Sequence, residues 1–296
     1  MTDRSKSVYA SAPFKFIVDG EPLYIHADLV SLHSKPLDRL INGPMAEAQK
    51  GFATLEDVDE GTFIRFIEWA HRGFYTAAEY STLVEEDPDT AGSRTDDDQA
   101  SNNGAIPDAE DKPEALLDED DWAGYQAPVK KNKSKGIKLS HNPPPPTARE
   151  DLIQSFVSRK PVERKSAIGI PPPRRNQSSA EDYSDVFLSH ARLYVFAEKY
   201  DIQPLKMLAL DELHAVLAIF TLYLERTEDI VDLLRYVYAN TGEPREGVED
   251  MRTLMTHYVG YEMETLIKDT NFRDLMIEDQ GDLLGDFMDM VGKRIS

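Results

Sequence analysis

Phe14–Tyr75 reads FKFIVDGEPLYIHADLVSLHSKPLDRLINGPMAEAQKGFATLEDVDEGTFIRFIEWAHRGFY. Its apolar runs Phe14–Val18 and Pro22–His26 flank Asp19-Gly20, a dipeptide suited to the positive dihedrals of a tight hairpin turn, so two antiparallel strands are expected. A short helix follows in DLVSLHS, with Asp28 able to cap it. A second follows in KPLDRLING, where Pro36 suits the first turn and Gly43 can end it. GFATLEDV then reads as a strand. Asp59 caps a stronger helix, in which Phe63, Phe66, Ile67 and Ala70 recur at the i, i+3, i+4, i+7 spacing that gives one apolar face. Hairpin, two short helices, strand and helix in succession contain no catalytic chemistry and point to a binding module.

Working outward, a second informative stretch, LSHARLYVFAEKYDIQPLKMLALDELHAVL, lies far downstream at Leu188–Leu217. Together the two stretches resemble a BTB/POZ domain: the first is similar to its initial two thirds, the second to its closing helical hairpin as it appears in the large group of fungal BTB proteins. The resemblance implies a small α/β fold that carries no chemistry and serves for self-association or for recruiting other proteins.

Between Val84 and Asp182 no helical or strand period is evident. SRTDDDQASNNGA, DAEDKPEALLDEDDW, KKNKSKGIK, NPPPP and PPPRRNQSS replace it, and the segment is expected to be disordered. Its charge is blocky. Glu85–Pro128 holds 15 acidic residues against Arg94 and Lys112, and Val129–Arg175 holds 12 basic residues against Glu150, Asp151 and Glu163, so the two blocks can attract each other. The entropic cost of a long loop grows only logarithmically, so such an insert is tolerable at a surface junction between the two parts of a domain.

Beyond the hairpin the pattern stays helical. Thr227 is expected to cap a helix with Ile230, Leu233, Leu234, Val237 and Tyr238 on one face, ended by Thr241-Gly242. A second is expected from about Glu246 to Lys268, with Val248, Met251, Leu254, Met255, Tyr258, Val259, Leu266 and Ile267 facing inward, and a third from about Asp282, with Leu283, Leu284, Phe287 and Val291. These helices resemble the tail that commonly follows the fungal domain. The expected architecture is therefore α/β (α+β): a BTB/POZ fold in two parts, 13–83 and 183–224, interrupted by a long disordered insert at 84–182 and followed by an α-helical C-terminal extension at 225–296.

Composition narrows the function classes. The chain of 296 residues has no cysteine, which removes disulfides, thiolate metal sites and cysteine nucleophiles, and suits an intracellular, cytoplasmic or nuclear protein. The N-terminal MTDRSKSVYASAP lacks the apolar run of a signal peptide, and nowhere do about 18 apolar residues occur consecutively, so no membrane association is expected. The net charge of −21 repels phosphate backbones, which argues against nucleic acid as a partner.

The search for chemistry finds none. His26 and His33 lie seven apart and the other histidines are scattered, without an HExxH pair or a ligand-spaced cluster. GxSxG, GxGxxG and GxxxxGK[ST] are absent. Carboxylate pairs such as Glu56-Asp57 and Asp59-Glu60 read as solvated faces or caps. No catalytic residue, cofactor, metal or small-molecule substrate is expected; the expected partners are proteins, including a second copy of the chain.

One short motif adds an alternative. In BTB proteins that serve as adaptors for cullin-based ubiquitin ligases, a hydrophobic residue, any residue and a glutamate contact the cullin between the second helix and the following strand, and by resemblance Met45-Ala46-Glu47 occupies that place. A flexible Met can fill an apolar groove while Glu47 supplies a rim charge. The competing structural reading makes Met45 a core or dimer-contact residue and Glu47 a solvated helix charge. No kelch, MATH or zinc-finger module accompanies the domain. Lys130, Lys131, Lys133, Lys135 and Lys138 could form a nuclear-import segment, and Pro143–Pro146 or Pro171–Pro173 with Arg174-Arg175 could dock in a polyproline-binding groove, although such runs also arise by composition alone.

Overall fold

A computed structural model of the chain describes residues 7–82, 147–159, 172–242, 249–278 and 281–295. The hairpin forms as expected from β1 (Pro13–Val18) and β2 (Glu21–His26). Asp19 at φ 51° and Gly20 at φ 85° make its turn, both in the left-handed region that Asp and Gly tolerate best. The Asp19 carboxylate also accepts the Glu60 amide at 2.9 Å, tying the turn to the start of a helix forty residues on.

The next two helices are α1 (Ala27–His33) and α2 (Lys35–Asn42). Asp28 is not the cap of α1: it lies in the first turn, and its amide is met by the Ser11 hydroxyl at 3.1 Å. Ser34 caps α2 by accepting the Leu37 amide at 3.1 Å, and its own hydroxyl donates to the Tyr200 carbonyl at 2.7 Å. A five-residue helix the periodicity does not announce, α3 (Ala46–Lys50), precedes β3 (Phe52–Leu55), with Gly51 at φ 74° between them. β3 returns parallel to β1, giving a three-stranded sheet of order β2-β1-β3. One face of it is buried through Phe14, Phe16, Val18, Ile25, Ala53 and Leu55. The alternate residues, which include Lys15, Ile17, Tyr24 and Thr54, form the other face.

Helix α4 (Glu60–Arg72) is capped by Asp59, which accepts the Thr62 amide at 2.8 Å, and is closed by Gly73 at φ 78°. Its Phe63, Phe66 and Ala70 are buried as the spacing requires, with Ile67 half-buried. Phe16, Phe63, Phe66 and Phe196 form a run of rings with neighbouring centroids 4.9, 5.6 and 5.2 Å apart. Each ring so buried contributes about 1.5–3 kcal/mol. The run joins the sheet, through α4, to the helical hairpin of α6 (Ser184–Lys199) and α7 (Gln203–Ile219), turned at Asp201 with φ 53°.

The expectation of a disordered insert over 84–182 requires correction at both its later portions. Residues 147–159 hold α5 (Ala148–Val157), opened by a capping box in which Thr147 and Glu150 satisfy each other's amides, and its Phe156 is buried. Residues 172–182 end in β5 (Glu181–Asp182), which pairs antiparallel with β4 (Ser81–Thr82). The remainder of the expected insert lies outside the described residues.

In the C-terminal part, α8 (Thr227–Asn240) begins at Thr227, but Thr227 does not cap it: Arg226 holds the cap position and the Thr227 hydroxyl donates to the Leu224 carbonyl at 3.0 Å. The single helix expected over 246–268 is two, α9 (Asp250–Tyr261) and α10 (Met263–Leu266), with Val248 outside the described residues. A further helix, α11 (Thr270–Glu278), buries Phe272, Leu275 and Met276. In α12 (Asp282–Ile295), Leu283 and Met290 are buried. The fold is thus mixed α/β and mostly helical, with small sheets.

Arg252 of α9 organises this part in a way the sequence did not suggest. It is 7% exposed; its guanidinium lies over the Tyr238 ring at 4.7 Å, bonds the Thr241 hydroxyl at 3.0 Å and pairs with Asp282 at 2.7 Å. The end of α8 and the starts of α9 and α12 are thereby pinned to one cation. Among the described residues no helix is long and apolar enough to cross a membrane.

Candidate protein-interaction surface

Met45 and Glu47 sit where α2 gives way to β3. Gly43 ends α2, and a Cβ there would lie 2.2 Å from the Arg39 carbonyl oxygen, so close approach of the backbone requires glycine at this corner. Met45 is extended (φ −78°, ψ 160°), 48% exposed, and immediately precedes α3. Glu47 lies in the first turn of α3 and is half-buried, and its carbonyl accepts the Gly51 amide at 2.9 Å. Met45 is therefore no core residue. Of the pair, only Met45 is on an exposed connection, whereas Glu47 belongs to a short helix. Together they present a flexible apolar side chain followed, two residues later, by a carboxylate.

The first hairpin and helix present a second apolar surface. On the outer sheet face, Lys15 stands opposite Tyr24 on one side and Phe52 on the other, with its ammonium 4.8 Å from the Phe52 ring centroid. Tyr24 is 59% exposed and Leu32 of α1 is 67% exposed. Tyr9 leans edge-on to His26 at 5.9 Å and stacks on His71 at 6.0 Å. β2 is an edge strand whose Pro22 offers no amide to a further strand.

Three of the described histidines, His26, His33 and His71, serve structure. His26 bonds the Ser11 carbonyl at 2.8 Å, and His71 that of Ile67 at 2.8 Å. His33 packs 4.6 Å from Trp69, where burial lowers its pKa. Among the described residues no group of three potential ligands could hold a metal ion.

Lys130, Lys131, Lys133, Lys135 and Lys138, the proposed import segment, lie outside the described residues, as do Pro143–Pro146. Arg174 and Arg175, by contrast, are described and used within the fold. Arg174 makes a two-pronged pair with Glu181 at 2.8 and 2.9 Å and lies 4.4 Å over Tyr80, which itself stacks on Tyr183 with centroids 5.5 Å apart. This guanidinium holds the Glu181 carboxyl below its usual range. Arg175 donates to the Ile219 carbonyl at 3.0 Å, and Asn176 exchanges two bonds with the Thr221 backbone at 2.7 and 2.8 Å. These arginines are thus fasteners of their own chain. Because the pair is largely solvated, Arg174→Ala is expected to lower the denaturation midpoint only modestly, through the lost fork and ring contact. A urea titration checks this, with Arg175→Ala expected to cost less.

No protein-family model matches this chain, and no curated protein matches it.

Proposed function

We propose that this chain is a non-enzymatic protein–protein interaction module of the BTB/POZ type, acting inside the cell as a self-associating scaffold or regulator. The observation that carries the reading is the exposed apolar surface of the first hairpin and helix, where Tyr24 and Leu32 stand 59% and 67% exposed on a firmly packed sheet-and-helix unit. Apolar side chains presented by rigid elements lose little freedom on association, which favours recognition of another protein. The net charge of −21 disfavours nucleic acid as the partner.

Light scattering on the eluting full chain is expected to give at least a dimer, and Tyr24→Asp with Leu32→Asp to give a monomer of unchanged melting temperature. A wild type that stays monomeric at all accessible concentrations would remove self-association as the function.

A second reading, an adaptor for a cullin-based ubiquitin ligase, is favoured by the exposure of Met45 beside Glu47. Met45→Ala with Glu47→Lys is expected to abolish calorimetric binding to a cullin N-terminal region, since losing an anchor and inverting a rim charge each costs about 1–3 kcal/mol. A wild type giving no heat of binding would retire this reading, whereas equal affinity of both forms would keep the adaptor and discard these two residues.

A further inference from the structure

A cleft of about 460 Å³ opens between the extended segment 74–80 and helices α6 and α7. Its walls are largely rings and branched apolar chains: Phe74, Tyr75, Tyr80, Tyr183, Val186 and Val216. Tyr80 and Tyr183 already stack with an interplanar angle of 13°, so the cleft offers flat faces.

At its inner side lies His190, 2% exposed. Its Nδ1 is 2.6 Å from the Tyr75 hydroxyl, but its Nε2 is buried and has no hydrogen-bond partner among the described residues. Buried polar atoms are nearly always satisfied, and His190 is among the residues that line the cleft, so a polar group seated at its inner side can meet this nitrogen. Burial and the nearby Arg65 push its pKa down to about 3, so the ring is a neutral donor or acceptor.

The charges lining the cleft are of both signs. Arg72 and Arg174 oppose a cation, and Glu79 and Glu212 oppose an anion. Arg174 is in addition already engaged by Glu181.

We propose that this cleft binds a neutral aromatic group carrying a hydrogen-bonding edge, its ring held against the tyrosine and phenylalanine faces and its polar atom fastened by His190 Nε2. Stacking supplies the selection for a planar group, and the imidazole supplies the selection for a polar edge.

The test uses the full chain with phenol and toluene as probes, which match in ring and differ in the polar edge, followed by the amide and methyl resonances of Tyr80, Val186 and Val216. Phenol is expected to shift these resonances saturably at millimolar concentration, about tenfold more tightly than toluene, the usual value of one neutral hydrogen bond. His190→Leu, which keeps the volume and removes the nitrogen, is expected to bring phenol down to the affinity of toluene. Equal binding of phenol and toluene by the wild type would overturn the role of His190 without requiring any variant to fold. Absence of saturable shifts with either probe would overturn the site itself.

Discussion

Phe156→Ala should lower the stability of the protein by about 3–5 kcal/mol, the cost of deleting an aromatic ring from a packed interior. Phe156 is 2% exposed, stacks on Tyr261 at 5.3 Å, tilts against Tyr258 at 5.7 Å and meets the His214 ring edge-on at 5.0 Å. Its carbonyl accepts from His214 Nε2 at 2.7 Å, so the backbone at that point is held as well as the ring. For a domain whose total stability is of order 5–15 kcal/mol, the substitution removes a large fraction. Val157→Ala, one residue on and 50% exposed, should change stability by less than about 0.5 kcal/mol. The two are compared by urea denaturation. Equal, small effects would mean that α5 is undocked in solution. The same reasoning predicts that deleting residues 85–181 harms the protein more than deleting 85–145, because only the longer deletion removes α5 and the Arg174 and Asn176 fastenings.

Acid should act on this protein through two buried groups of opposite sign. His190 is held neutral in the folded state down to a pKa of about 3, against an ordinary value of 6.5, by burial first and Arg65 second. Below about pH 6.5 the unfolded chain takes up a proton that the folded one refuses, so the contribution of His190 to stability falls as the pH falls. The loss reaches about 3 kcal/mol near pH 4. Asp229 runs the other way. It is 1% exposed, and burial raises its pKa from 3.8 to about 6, although it accepts the Tyr183 amide at 2.9 Å and has Arg226 at 3.8 Å. Between about pH 4 and 6 the folded state holds a proton the unfolded state has released. The contribution of Asp229 is therefore present below that window and lost as the pH rises through it, by up to about 3 kcal/mol.

The wild type should show a damped response because the two contributions offset each other. Asp229→Asn should steepen the loss of stability on acidification, and His190→Leu should flatten or invert it. Denaturant titrations of the three proteins at pH 4, 5, 6 and 7 measure the slopes, and parallel slopes would refute both assignments.

How much of this was legible in the sequence depends on how local the cause is. The hairpin was readable because Asp19-Gly20 dictates its own dihedrals, and α4 because its cap and apolar spacing lie within one segment. Helix α5 was missed because AREDLIQSFV is flanked by charged and proline-rich chain and its burial depends on His214, 58 residues downstream, and on Tyr258 and Tyr261, about a hundred downstream; the readable trace was the Thr147-to-Glu150 spacing of a capping box. The break at Glu262 was hidden because apolar residues continue at helical intervals across it, yet Ile267 proves 48% exposed. At the candidate surface, the sequence placed Met45 and Glu47 at the right corner and could not give their exposure. The cleft was invisible, since Tyr80 and His190 come together only through the tertiary fold.

The bond from the Ser34 hydroxyl to the Tyr200 carbonyl joins residues 166 positions apart, and the Phe66 and Phe196 rings are nearly as distant in the chain. During synthesis at about 5–20 residues per second, the sheet and α4 leave the ribosome on the order of ten seconds before α6 can cover them. For that interval the face of Phe63 and Phe66 has no lid, and the newborn half-domain is a client for whatever holds apolar surfaces apart in the cell. A stall in translation between the two halves would prolong that state and favour aggregation over folding.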